Sequence, residues 1–149
     1  PIENKHEDQI LKYSKIPANI NKKTLKKSKS WAIKIAEKLN YIGTLCVEFF
    51  IDKNNNLYVN EIAPRVHNSG HLTINAYNIS QFENHVRAVC GLKQINLKKI
   101  SNAEMINLIG SQINIYKSKK YNSNEFFFDY KKKEIKEKRK MGHLTILKD

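Results

Sequence analysis

Two glutamates and the short basic loop that follows the second carry the chemistry available to this sequence. Glu48 and Glu61 flank the turn-forming run Asp52-Lys53-Asn54-Asn55-Asn56. Leu45–Ile51 and Leu57–Ile62 on either side of the run are β-branched and aromatic enough for two strands of a hairpin. A four-residue connection, Lys53 to Asn56, pairs Asp52 with Leu57 and places Glu48 opposite Glu61. Opposed carboxylates about 5 Å apart repel by roughly 3 kcal/mol at an effective dielectric of about 20. A divalent cation removes that repulsion, and magnesium favours one or two carboxylates completed by water and phosphate oxygens. Spacing alone leaves open a slipped hairpin whose carboxylates meet lysines instead. Directly after Glu61 come Arg65, His67, Asn68, Ser69, Gly70 and His71. Arginine offers a planar fork to an anion, and histidine can shuttle a proton or donate a hydrogen bond. Taken one at a time, each of these residues also reads as part of an ordinary turn or as a structural histidine.

The elements that position these groups follow from hydrophobic spacing. Between Leu25 and Leu39 the small and apolar positions recur every three or four residues with lysines between them, which predicts an amphipathic helix ending near Asn40 and Gly43. A second helix starts at the capping box Ser80-Gln81-Phe82-Glu83, presents Phe82, Val86, Val89 and Cys90 on one face, and stops at Gly91. Beyond it the pattern changes to short strands at Met105–Ile109, Ile113–Tyr116, Phe126–Tyr130 and Leu144–Leu147. The fold class is therefore α+β. We place residues 1–91 in one domain, 92–100 in a linker, and 101–149 in a small β-rich domain.

Composition narrows the function classes. The net charge of +13 invites a nucleic-acid partner, yet only Arg65, Arg87 and Arg139 of the 27 basic residues are arginine. The lysines come with abundant Ile and Asn along the whole chain, as compositional bias would produce. No aromatic-basic signature of an RNA-binding sheet is present, so no nucleic acid is expected. Cys46 and Cys90 lack the spacing of a zinc site and read as reduced core residues. No apolar run spans a bilayer, and no secretory signal opens the chain. These features place the protein in the cytoplasm, away from membranes. The first residue, Pro1, suggests that the sequence begins inside a longer polypeptide.

The runs Val47-Glu48-Phe49-Phe50 and Asn60-Glu61-Ile62-Ala63-Pro64-Arg65-Val66-His67-Asn68-Ser69-Gly70-His71 resemble the metal-binding hairpin and adjoining loop of the carboxyaminoimidazole ribonucleotide synthetases, a family of ATP-grasp ligases. Glu3-Asn4-Lys5-His6, Ile10-Leu11, Ser80 through Leu92, and Arg139-Lys140-Met141-Gly142-His143 extend the likeness over nearly the whole chain. The resemblance implies the second half of an ATP-grasp domain, an antiparallel sheet with helices, followed by a small carboxy-terminal domain. It implies that Glu48 and Glu61 hold Mg2+ against the phosphates of ATP, with Asn60 among the nucleotide-binding positions. It implies that Arg65 and His67 face bicarbonate and carboxyphosphate. Asn68, Ser69, Lys132, Arg139 and Lys140 are the corresponding positions for the substrate, aminoimidazole ribonucleotide. The family acts in purine biosynthesis, and a complete member is expected to be a homodimer. An amino-terminal region of comparable or greater length, with the adenine contacts and phosphate-covering loop, is implied but lies outside this sequence. Two departures stand out: Lys131 replaces a usual glycine, and Leu72 replaces a common tryptophan.

Overall fold

The computed structural model describes residues 1–149. Five strands form one antiparallel sheet in the order β1-β2-β5-β7-β6, and two more, β3 and β4, form a separate hairpin. The strands are β1 Glu3–Glu7, β2 Ile10–Ile16, β3 Cys46–Ile51, β4 Leu57–Ala63, β5 Asn102–Ile109, β6 Glu125–Asp129 and β7 Lys140–Lys148. The helices are α1 Lys22–Lys38, α2 Thr73–Ala76, α3 Gln81–Val89 and α4 Gln112–Lys117. This mixed architecture of antiparallel sheets and helices is the α+β class expected from the pattern.

Local chemistry sets the element ends. Asn21 caps α1 by accepting a hydrogen bond from the Thr24 backbone at 2.8 Å, so the helix starts a turn before the apolar pattern does. It ends where Asn40 takes a left-handed φ of 47°. Ser80 caps α3 through the Glu83 amide at 3.1 Å, as its capping box requires. The pair β1 and β2 is closed by Asp8 and Gln9, whose φ values of 48° and 63° match a two-residue connection with both central residues left-handed. That hairpin has no glycine in its turn, which hid it from the sequence pattern.

Three expectations are corrected. Ile113–Tyr116 is helical, within α4: Ile113 is fully buried while Ile115 is 72% exposed, the reverse of what a strand would do with residues two apart. Cys90 is exposed rather than in the core. Asp52 does not pair with Leu57; Ile51 does, because the Asp52 carboxylate turns back onto the Asn54 and Asn56 amides at 2.9 and 2.8 Å and holds the residue in the turn.

Two clusters form the core. Ile16, Leu72, Ala76, Ala103 and Met105 join α2 to strands β2 and β5, and Leu108, Ile113 and Met141 seat α4 on β5 and β7. Leu72 is completely buried in the first, so the residue that departs from tryptophan is a packing position. The larger sheet takes β1 and β2 from before residues 92–100 and β5 to β7 from after them. The intervening segment is tied to α2 and to Asn78 just beyond it, through Ile100 N–H to Ala76 O at 2.8 Å and Asn78 N–H to Lys98 O at 3.1 Å.

Candidate functional site at the β3–β4 hairpin and the adjoining loop

Glu48 and Glu61 are partners across the β3–β4 ladder, and therefore lie on one face. Two shifts produce this register. The turn offsets the pairing by one residue, so Phe49 meets Val59; a bulge at Asn60 then restores Glu48 to Glu61. A bulge re-aims the side chain of the extra residue, and here Asn60 Nδ2 comes within 3.5 Å of Glu48 Oε2. The two carboxylates differ in surroundings. The Glu48 side chain is 12% exposed and its Oε1 is buried with no hydrogen-bond partner, whereas the Glu61 side chain is 49% exposed.

The loop after β4 is held from both ends. Leu72 and Ala76 anchor its far end in the core, and Gln81 at the start of α3 grips its middle. Gln81 Oε1 accepts from the His67 amide at 3.0 Å, and Nε2 donates to His67 O at 2.7 Å. The second Nε2 hydrogen reaches His71 Nδ1 at 2.8 Å, which leaves the proton of neutral His71 on Nε2. Gly70 makes this grip possible, since a Cβ there would lie 2.5 Å from Gln81 Oε1. Sequence reasoning saw Gln81 only as the second residue of a capping box; nothing local in the sequence marks it as the loop's clamp.

His67 Nδ1 lies 2.9 Å from Ser69 Oγ and 3.8 Å from Glu48 Oε1. Burial pulls the His67 pKa below its usual range more strongly than Glu48 and Glu61 raise it, so the contact with Glu48 joins a carboxylate to a neutral ring. Arg65 is more remote: its Nη1 donates to Val66 O at 3.0 Å, Nη2 is 3.8 Å from Glu61 Oε1, and the side chain is 59% exposed. Asn68 turns inward. Its amide exchanges hydrogen bonds with Asn107 at 3.0 and 2.8 Å and donates to Tyr130 Oη at 3.2 Å.

Of the carboxy-terminal basic residues, Lys140 comes near enough to Glu48 and Glu61 to interact with them, and Lys132 sits against Lys140. Lys132 Nζ donates to Lys140 O at 2.6 Å and lies 5.4 Å from the Tyr130 ring centroid. Lys140 is half-buried; burial lowers its pKa, while Glu48 and Glu61 act on it in the opposite direction. Arg139 is exposed beside Lys132, whose pKa is lowered by burial first and by Arg139 second. Beneath them the partly buried His71 and Tyr130 and the buried His143 form an aromatic group that sequence reasoning did not assign. Tyr130 Oη is 3.0 Å from His143 Nδ1, and the His71 and His143 ring centroids are 5.5 Å apart. Burial drives both histidines down to about 4 and Tyr130 up to about 12.

A cavity of about 640 Å³ follows the unpaired edge of β3, since every residue from Thr44 to Ile51 lines it. Lys29, Asn60, His67 and Ser69 also line it, while Glu61 and Arg65 do not. A hard cation fits the hairpin face: the unpartnered buried Glu48 Oε1 is an oxygen donor that the protein itself leaves unsatisfied.

Comparison with known proteins agrees with this geometry. Residues 1–82 match the ATP-grasp domain and residues 103–149 match the phosphoribosylaminoimidazole carboxylase C-terminal domain. The N5-carboxyaminoimidazole ribonucleotide synthase of Staphylococcus aureus strain MRSA252 is 44% identical over 147 residues, covering 97% of this chain and 39% of that protein. The crystal structure of the S. aureus N5-carboxyaminoimidazole synthetase complexed with ADP superimposes with a TM-score of 0.91 at 43% identity, over 99% of this chain and 40% of that one. The Aspergillus clavatus N5-carboxyaminoimidazole synthase in complex with ADP and 5-aminoimidazole ribonucleotide gives 0.91 at 31% identity, over 99% of this chain and 42% of that one. The chain thus spans about two fifths of the length of the relatives it matches. It belongs to the ATP-grasp family, and within that family it corresponds to the carboxy-terminal part of an N5-carboxyaminoimidazole ribonucleotide synthase.

Proposed function

We propose that this chain supplies the metal-binding and substrate-facing half of an ATP-dependent ligase that activates bicarbonate as carboxyphosphate and carboxylates the exocyclic amine of aminoimidazole ribonucleotide. The observation that carries the reading is the hairpin face, where the buried, unpartnered Glu48 oxygen stands opposite Glu61 and both act on Lys140. Glu48 and Glu61 hold Mg2+, with Asn60 steadying Glu48. Magnesium, when bound, offsets the phosphate charge of ATP and fixes its oxygens. Arg65 stabilises charge developing on carboxyphosphate, and His67 positions the acceptor or exchanges its proton. Lys132, Arg139 and Lys140 take the substrate phosphate, and Ser69 and Asn68 order the loop beneath it. The division at residues 92–100, a cytoplasmic location and a homodimeric complete enzyme belong to the same reading.

The test is phosphate release by the chain joined to its amino-terminal region, with ATP, Mg2+ and bicarbonate. Stimulation by aminoimidazole ribonucleotide, abolished in Glu48→Gln, is the expected result. Stimulation by a different amine acceptor instead would assign the chain to another ATP-grasp carboxylate-amine ligase.

A further inference from the structure

We propose that Cys46, Glu48 and His67 form a binding site for a thiophilic divalent cation of the zinc class, one that takes Glu48 in competition with magnesium. The site itself needs only these three side chains, while the competition with magnesium rests on the proposed function. Cys46 and Glu48 are two residues apart on β3 and so project from the same face. His67 reaches that face from the loop gripped by Gln81. The sulfur, carboxylate oxygen and ring nitrogen lie within 4.8 Å of one another. None of this shows in the sequence, where His67 stands far from Cys46 and no metal-ligand spacing exists.

Two further features favour a bound ion. Glu48 Oε1 is buried and has no partner, although a ring nitrogen lies only 3.8 Å away. All three ligand side chains are also partly withdrawn from solvent, and Ser69 Oγ, 2.9 Å from His67 Nδ1 and 3.7 Å from Cys46 Sγ, gives up the Nδ1 lone pair when the ion binds. Around zinc, bonds of roughly 2.0–2.3 Å put tetrahedral neighbours roughly 3.5 Å apart, so the ligand atoms, within 4.8 Å of one another, close in by up to about 1.3 Å. The Cys46 proton leaves to solvent as the sulfur binds, and water completes the fourth position. A thiolate ligand selects zinc or cobalt over magnesium, whose preferred donors are all oxygen. Because Glu48 serves both ions, a thiophilic cation in this site removes it from the pair with Glu61.

Cobalt(II) reports the coordination directly. The metal-free, reduced chain joined to its amino-terminal region, titrated with Co2+, should give a thiolate-to-cobalt charge-transfer band at one equivalent, with the strong visible bands of a four-coordinate ion. Zn2+ should abolish both. Cys46→Ser and Cys46→Ala should each lose the charge-transfer band and bind at least about tenfold more weakly, while Cys90→Ser keeps both properties. A readout in the unmodified chain guards against misfolded variants: Zn2+ should protect Cys46, and not Cys90, from alkylation mapped by mass spectrometry. The proposal is overturned if cobalt shows only weak six-coordinate bands, if the charge-transfer band follows Cys90, or if Zn2+ leaves Cys46 alkylation unchanged.

Discussion

Glu48 and Glu61 share a face of the hairpin, yet burial gives them different liabilities. Glu61 is half-exposed with a 3.8 Å contact to Arg65, a surface pair that contributes little to folding. Replacing Glu61 with Gln in a complete enzyme should therefore shift stability by no more than ~0.5 kcal/mol while lowering magnesium-dependent turnover by about 10²-fold or more. Parallel loss of thermal stability and turnover would contradict a metal-binding role. Arg65→Lys should cost roughly tenfold in turnover with unchanged folding, since a point charge does not reproduce the planar fork. Lys131 presents a different case, a lysine at a backbone position that favours glycine. Its φ of 53° lies in the left-handed region that costs an L-residue about 1 kcal/mol or more, and in its ion pair with Asp129 at 3.4 Å only the lysine end is exposed, while Lys117 at 3.3 Å still pairs the Asp129 carboxylate without it. Lys131→Gly should accordingly stabilise the protein by ~0.5–1 kcal/mol, after allowance for the greater chain entropy of glycine, as chemical denaturation would measure. The retained turn also keeps Lys132 directed at Lys140.

The loop from His67 to His71 is ordered by elements that lie far from it in sequence. Gln81 supplies hydrogen bonds to His67 on both sides and to His71, and each is worth about 1 kcal/mol net. Gln81→Ala should cost ~2–3 kcal/mol and speed hydrogen exchange at the loop amides, with little change at β5 and β7. The partly buried His71 and the buried His143 add a pH dependence. Both are neutral in the fold with pKa values near 4, against about 6.5 in an unfolded chain. The unfolded state therefore binds more protons between those values. Their contribution is complete above about 6.5 and is lost as pH falls toward 4. His143→Gln should flatten the acid side of the stability profile in this window; an unchanged slope would show that the rings do not control it. At this scale the sequence was only partly legible. The helix α1, the cap at Ser80 and the hairpin strands each declare themselves within a few residues. The Glu48–Glu61 register came out correctly because two omissions cancelled, the turn offset and the bulge at Asn60. Gln81 acquires its role only when α3 folds back on the loop, Tyr130 and His143 only when strands β6 and β7 bring them under it, and α4 reads as a strand because three of its six residues, Ile113, Ile115 and Tyr116, are strand formers.

As a whole molecule the chain leaves more surface open than its mass predicts. A compact protein of 17.4 kDa exposes roughly 7,900 Å², whereas this one exposes 9996 Å². Exposed apolar side chains mark several faces. Phe50, Tyr58 and Val59 of the hairpin are 61%, 54% and 43% exposed, Ile33 of α1 is 57% exposed, and the apolar face of α3 is open at Val86 and Val89. Strand β3 has a partner on one edge only, and the cavity runs along the other. An excess of about 2,000 Å² is more than twice what one partner contributes to an ordinary protein interface, and it borders the residues that would meet ATP. These features fit an amino-terminal region that covers the hairpin, adds the adenine contacts and closes over the phosphates. Phosphoryl transfer depends on holding nucleotide, metal and acceptor in line, and two carboxylates with a basic loop do not achieve that alone. The 149-residue chain by itself should therefore release no phosphate from ATP in the presence of Mg2+, bicarbonate and aminoimidazole ribonucleotide, and it should bind hydrophobic dyes and tend to aggregate. Supplying the amino-terminal region, fused or co-expressed, should remove dye binding and restore substrate-stimulated turnover together. Turnover by the chain alone at the rate of an ordinary enzyme would mean that the hairpin, loop and cavity already form a complete nucleotide site.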